Sequence, residues 1–177
     1  LIKLDDGGPV LFKQARYGKD GRVFHMYKFR TMTVDAESTG PGWTSEADPR
    51  VTRVGAILRS TALDEIPQLI SIWKGDMSFV GPRALPIAMH DDYLREAPDF
   101  NLRLLVRPGL TGLSAIRLPR HCSAATRLES DLAYVQDASL ALDIKLFIAS
   151  VWLTLTMAWG KGARSPEAAE RPIRSGQ

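Results

Sequence analysis

Asp64 and Glu65 are adjacent carboxylates directly after Ser60-Thr61-Ala62-Leu63, and Thr61 with Asp64 makes the Thr-x-x-Asp pattern of a helix entry. Two readings of the pair stand open. Carboxylates at a helix N-terminus are favoured by the macrodipole, so capping alone accounts for them. In the other reading one carboxylate is a nucleophile towards phosphorus, as Asp is in acyl-phosphate chemistry, and the helix end keeps it ionised. That chemistry needs cations for a diphosphate. Lys28 and Arg30 are two apart in a run that reads as a strand, which puts them on one face roughly 6.5–7 Å from each other, a spacing suited to neighbouring phosphate groups. Arg59 lies just ahead of the pair and Arg83 sits in a Gly-Pro-Arg turn. Guanidinium groups clamp phosphate oxygens bidentately, although each arginine taken singly reads first as a surface charge. Phosphoryl transfer from a nucleotide diphosphate also calls for Mg²⁺, which is held by few protein carboxylates. Asp64 is the first candidate ligand and Asp131 the second, with an i,i+4 ion pair to Arg127 as the other reading of Asp131.

The elements that must position these groups follow from pattern. Val10 to Gln14 and Arg22 to Thr31 read as strands, joined through Tyr17-Gly18-Lys19-Asp20-Gly21, where Asp-Gly is a hairpin signal. Residues 35–50, rich in Gly, Pro, Ser, Thr and Asp, read as a long loop. Leu63, Ile66, Leu69, Ile70 and Trp73 recur at helical spacing. Pro67 must then fall in or near the first turn, and Lys74-Gly75-Asp76 ends that helix. Gly81-Pro82-Arg83 and Arg107-Pro108-Gly109 mark turns, residues 86–96 a short polar helix, 123–136 an amphipathic helix and 139–159 a far more apolar one. This predicts an α/β domain over 1–160, a small β-hairpin or sheet packed with several α-helices, followed by a disordered tail over 161–177, where Gly, Pro, Ala and charge dominate.

Length and composition bound the rest. A chain of 177 residues, 45% hydrophobic and 24% charged, is one globular domain of ordinary size. The net charge of +3 is too small to imply a nucleic-acid partner, and no recognition motif argues for one. Cys122 is the single cysteine, beside His25, His90 and His121, so neither a disulfide framework nor a zinc constellation is available. Residues 61–100 carry 3 basic and 7 acidic side chains, against 10 and 7 in residues 1–60, an acidic middle beside a basic flank. No uncharged apolar run reaches the roughly 20 residues of a spanning helix. Leu1-Ile2-Lys3-Leu4, without an initiator Met, reads as an apolar stub of a sequence that begins inside a longer chain.

Taken together the motifs are recognisable. Leu11-Phe12-Lys13-Gln14 with Arg16 and Gly18, Tyr27-Lys28-Phe29-Arg30-Thr31-Met32, Asp48-Pro49-Arg50-Val51-Thr52, Leu58-Arg59, and Leu63-Asp64-Glu65-Ile66-Pro67-Gln68-Leu69 occur in order. Gly75-Asp76-Met77-Ser78-Phe79-Val80-Gly81-Pro82-Arg83, Arg107-Pro108-Gly109-Leu110-Thr111-Gly112, Asp131 with Tyr134-Val135, and Leu142-Asp143-Ile144-Lys145 follow. The set resembles the bacterial sugar transferase family, monotopic phosphoglycosyl transferases acting on polyprenol phosphate, over about residues 1–163. The resemblance implies two steps. Asp64 attacks the phosphate next to the sugar of a UDP-sugar and UMP leaves; the polyprenol phosphate then takes the sugar-phosphate from the carboxylate. It implies that Glu65 assists, by positioning or by accepting the proton of the lipid phosphate, that Mg²⁺ offsets the diphosphate charge, and that Arg59 and Arg83 lie at the active site. The chain departs from the family pattern at Ala84, where a second Pro is usual, and over Leu113–Arg120.

The same resemblance implies work at the cytoplasmic face of a bacterial inner membrane, with a re-entrant helix that would end near Leu1–Leu4. From Leu146 to Trp159 there is no charge, and Trp152 and Trp159 fall within that stretch, with Lys161 and Arg164 beyond. Such a helix suits either a core or a membrane interface. The expected partners are a UDP-sugar, a polyprenyl phosphate and a membrane interface, with no nucleic acid and with a homo-oligomer left open. The rival function is a non-catalytic membrane scaffold of a polysaccharide assembly.

Overall fold

The computed structural model describes residues 1–37, 48–119 and 121–156. A short N-terminal helix, α1 (Ile2–Asp6), precedes β1 (Leu11–Tyr17) and β2 (Val23–Phe29), which pair antiparallel from Leu11 opposite Phe29 to Tyr17 opposite Val23. Asp20 (φ 56°) and Gly21 (φ 74°) make the tip left-handed, a conformation that Asp tolerates and Gly adopts freely. Side chains alternate along β2, so the buried Phe24 and Met26 share a face with Lys28.

The strand stops at Phe29, and this overturns one expectation. Lys28 and Arg30 do not present a matched pair of cations. Arg30 is buried and donates from Nε to the Pro9 carbonyl (2.6 Å) and from Nη1 to the Met32 carbonyl (2.9 Å), which ties the strand exit to the chain before β1.

A second expectation holds only in part at the helix entry. Residues 60–64 end one helix and open the next, a 3-10 turn rather than an α-helix, and Thr61 belongs to the first. α2 (Arg53–Ser60) is capped by Thr52, whose Oγ1 accepts from the Gly55 N–H at 3.0 Å. A Cβ on Gly55 would stand 2.0 Å from the Thr31 carbonyl oxygen, so glycine is what lets α2 lie against the exit of β2. Thr61 Oγ1 donates back to the Ile57 (2.8 Å) and Leu58 (3.2 Å) carbonyls and so serves the C-terminus of α2. Ala62 then turns left-handed (φ 56°), and Leu63–Gln68 forms a 3-10 segment before α3 (Leu69–Trp73). Pro67 is the fifth residue of that segment. It is too deep for the donor-free first turn, so its missing N–H and its ring keep the segment from closing as an α-helix.

After α3 comes a second small sheet that the sequence pattern missed. β3 (Ser78–Val80) and β4 (Gly109–Thr111) pair in parallel, Ser78 with Gly109 and Val80 with Thr111. A Cβ on Gly109 would meet the Gly81 nitrogen at 2.1 Å, so the two turn motifs cross at a distance only glycine allows. Between the strands run α4 (Ile87–Glu96) and a 3-10 segment, Pro98–Leu105. α5 (Leu113–Arg117), α6 (Ala124–Asp137) and α7 (Leu140–Leu155) follow. Ser123 and Ser139 cap α6 and α7 through their hydroxyls.

Three buried clusters hold these pieces. Phe24, Met26, Met77 and Ala84 join the hairpin to the chain around β3. Leu85, Tyr93, Phe100, Ala124 and Leu128 join α4, the second 3-10 segment and α6. Val80, Leu113, Tyr134 and Leu146 seat α7. The result is the small α/β fold expected, a hairpin packed with helices, with one added parallel pair. Among the described residues no helix is long and apolar enough to cross a membrane. Trp159, Lys161, Arg164 and the tail expected over 161–177 lie outside the described residues, as does most of the loop expected over 35–50.

Candidate active site

The 3-10 segment carrying Asp64 and Glu65 packs on β2, so the inward face that begins with Phe24 and Met26 ends with Lys28 against the carboxylate pair. Lys28 Nζ lies 2.7 Å from Glu65 Oε1, and Arg83 Nη2 approaches the same oxygen at 3.4 Å. Burial works against the Glu65 charge, but Lys28 and Arg83 outweigh it and hold the carboxyl down to about 2. Burial likewise lowers Lys28, in part offset by Glu65. The pair is a locked, charged unit.

Asp64 is the opposite case. No described residue donates a hydrogen bond to its carboxylate. Burial, joined by the Glu65 charge, raises it above the ordinary Asp value, while Lys28, Arg59 and Arg83 pull it back. Asp64 and Glu65 lie in the first turn of a 3-10 segment that runs directly into α3, the helix-start position expected from the sequence, and Lys28, Arg59 and Arg83 add their favourable charge to it. A desolvated carboxylate with both oxygens unbonded is a stronger nucleophile than a solvated one.

Arg59 reaches the site from the last turn of α2, its Nε donating to Thr31 Oγ1 at 2.8 Å. Lys28, Arg59 and Arg83 are thus gathered around Asp64, as the sequence suggested, and Arg30 is not. Asp131 is also drawn elsewhere. Its carboxylate is buried in an ion pair with Arg103, at 2.7 Å with both side chains no more than 2% exposed. A carboxylate closed in this way has little left for a hydrated metal, and this corrects its candidacy as a ligand.

Among the described residues no cluster of three or more His, Cys, Asp or Glu could by itself hold a metal ion. A single open carboxylate still fits Mg²⁺, which keeps several waters and is commonly shared between one protein carboxylate and substrate phosphates. At this site Asp64 offers such a carboxylate.

The sequence reading missed Arg16 as a site residue. It is buried on β1, and its Nη1 donates to the Ala84 carbonyl at 2.7 Å, one residue past Arg83. Burial, with the nearby Arg83, lowers it to about 9, and Glu65 pulls in its favour. Its Gln-x-Arg spacing places Gln14 and Arg16 on one strand face, where they are hydrogen-bonded; that alternation was the available signal. Arg103, which no motif marks, completes the set by donating from Nη2 to the Arg83 carbonyl at 2.7 Å.

With this geometry in place, comparison with known proteins is direct. The Bacterial sugar transferase family matches residues 1–157. An exopolysaccharide production protein of Rhizobium leguminosarum bv. phaseoli is 43% identical over 171 residues, covering 92% of this chain and 84% of that protein. A UDP-glucose:undecaprenyl-phosphate glucose-1-phosphate transferase of Caulobacter vibrioides is 40% identical over 160 residues, covering 88% of this chain and 60% of its own length. A UDP-N-acetylgalactosamine-undecaprenyl-phosphate N-acetylgalactosaminephosphotransferase of Aeromonas hydrophila is 39% identical over 93% of this chain, which spans only 39% of that relative.

Proposed function

The chain belongs to the bacterial sugar transferase family, and from that membership we propose that it moves a sugar-1-phosphate from a UDP-sugar to a polyprenyl phosphate through a covalent intermediate on Asp64. One observation carries the reading: a half-buried Asp64 carboxylate, without a hydrogen-bond donor among the described residues, beside a Glu65 locked by Lys28 and Arg83. In the first step an Asp64 oxygen attacks the phosphorus bearing the sugar, the bond from that phosphorus to the UMP oxygen breaks, and UMP leaves with the electron pair. In the second, an oxygen of the lipid phosphate attacks the same phosphorus and the Asp64 carboxylate departs, regenerated.

Each nearby side chain has a task. Arg83, Arg59 and Lys28 supply positive charge where the diphosphate would lie. Glu65, held near pH 2, is too weak a base to collect a proton from a lipid phosphate at neutral pH. The ion pairs with Lys28 and Arg83 support positioning, the first of its two expected roles. Bound Mg²⁺ shared by Asp64 and the substrate would neutralise diphosphate charge.

The lipid substrate fits the surroundings of the pair. Leu63 and Ile66 are exposed on the same segment as Asp64, Leu69 and Ile70 are exposed on α3 just after it, and Trp73 is 87% exposed. On α7, Ile148, Trp152 and Leu155 are exposed as well. Apolar faces of this kind suit a membrane interface, with the site at the cytoplasmic face of a bacterial inner membrane.

The test incubates full-length protein with Mg²⁺, a panel of UDP-sugars and undecaprenyl phosphate, and reads UMP release. With one sugar and no lipid, the Asp64 peptide should gain the mass of the sugar-phosphate. Asp64→Asn should lose at least a thousandfold in rate, since it removes the nucleophile. No UMP with any sugar, together with an Asp64→Asn variant that behaves like the parent, would establish the non-catalytic scaffold instead.

A further inference from the structure

Val80 to Ala84 leaves β3 and enters no regular element before α4, yet its carbonyls are not left to solvent. Pro82 O accepts from Gly109 N at 2.9 Å. Arg83 O accepts from Arg103 Nη2 and Ala84 O from Arg16 Nη1, each at 2.7 Å. Consecutive carbonyls at Arg83 and Ala84 are thus held by two buried guanidinium groups that arrive from different parts of the fold, the second 3-10 segment and β1.

Guanidinium is an expensive way to satisfy a carbonyl. A buried cation loses hydration that only a matched anion restores. Arg103 has that anion in Asp131. Arg16 does not: its hydrogen-bond partners are the Ala84 carbonyl and the Gln14 amide oxygen, its Nε finds no acceptor, and the charged groups closest to it are Arg83 and Glu65. A neutral donor would hold Ala84 O without placing one cation beside another. Departures of this kind from the cheapest packing are concentrated at functional sites. The residues they grip are Arg83, whose side chain reaches Glu65, and its neighbour Ala84.

We propose that Arg16 and the buried Arg103–Asp131 pair are positioning residues for Arg83, fixing the backbone on its carbonyl side so that its guanidinium is preset for the diphosphate of the substrate. The inference rests on the proposed function above. A preset cation acts most strongly on charge that develops during reaction, so its misplacement lowers turnover more than it weakens binding.

The test is a double-mutant cycle. Arg16→Met removes one donor without adding a charge, and Arg103→Met combined with Asp131→Leu removes the other together with its counter-charge. Each is made in the parent and in an Arg83→Ala background, and UMP release is followed with the UDP-sugar that the parent uses. Each change should lower kcat about tenfold with KM within about twofold of the parent, and should cost less than about twofold once Arg83 is gone. Arg16→Lys, which keeps a donor and the charge, should recover part of the loss. Parent-like kcat overturns the proposal. So does an equal loss in both backgrounds, the signature of general damage to the fold. Should the parent release no UMP, the proposed function falls, and the same cycle is read in calorimetric affinity for UDP, where coupling to Arg83 sustains the clamp and its absence overturns it. A parent that neither turns over nor binds UDP overturns both.

Discussion

Two neighbouring carboxylates have opposite electrostatic fates here, and the cause is which of them the cations touch. Lys28 and Arg83 bind Glu65, so Glu65 stays charged down to about pH 2, while Asp64 receives their field only at a distance and is raised by burial and by Glu65. A nucleophile works only when ionised, so kcat/KM should fall on the acid side at a pH above the ordinary Asp value. Replacing Glu65 by Gln removes the like charge beside Asp64 and frees Lys28 and Arg83 from their partner. Both changes lower the Asp64 pKa, so the acid limb of Glu65→Gln should move to lower pH, even as the plateau rate falls with the loss of organisation. A pH–rate profile of the two proteins checks the sign; a limb that stays put or moves up contradicts the assignment. The sequence made the residue types legible but not their pairings. Asp64, Glu65, Lys28, Arg59 and Arg83 were recoverable because their motifs are local. Arg30 departs from its expected place because the strand ends at Phe29, two residues short of the expected Thr31, and Arg103 was invisible because its partners lie 20 and 28 residues away.

Elements show why a correct period can carry a wrong boundary. Leu63, Ile66, Leu69, Ile70 and Trp73 do line up, yet in the structure this stripe is exposed rather than internal. Periodicity reports that a face is apolar; it does not say what covers it. The same local view mistook Thr61 for a cap, since the pattern that opens one helix also fits the place where another ends. The two threonines now separate by experiment. Thr52 Oγ1 accepts the Gly55 N–H at the start of α2, so Thr52→Ala should cost about 1 kcal/mol in urea unfolding. Thr61 Oγ1 donates from an exposed position to carbonyls that water can also reach, so Thr61→Ala should stay within about 0.5 kcal/mol. Equal losses would return Thr61 to the capping role. The parallel pairing of β3 with β4 was out of reach for a different reason. Each strand is three residues long and the partners lie 31 positions apart, so nothing local announces the match.

At the scale of the molecule, the buried Arg103–Asp131 pair joins the second 3-10 segment to α6 and, through the Arg83 carbonyl, joins both to the active site. A closed ion pair of this kind is a weak contributor to net stability but a severe liability when half of it is removed. Asp131→Asn leaves the Arg103 cation without its counter-charge inside the fold and should cost about 3–5 kcal/mol, a large share of the about 5–15 kcal/mol that holds a domain of this size together. Replacing both partners, Arg103→Met with Asp131→Leu, removes these two charges together and should restore part of the stability that Asp131→Asn loses, with the buried Arg127 still charged beside the site. The double variant therefore separates two roles that the single variant confounds. Stability returns in part because Arg103 is no longer stranded, while the Arg83 carbonyl still lacks its donor and the turn that carries Arg83 stays loose. Urea unfolding of the parent, Asp131→Asn and the double variant, followed by UMP release from the folded proteins, reads both quantities on the same samples. Recovery of stability without recovery of rate is the expected result. Recovery of both would mean that the pair merely fills the interior, and that the grip on Arg83 is incidental to packing.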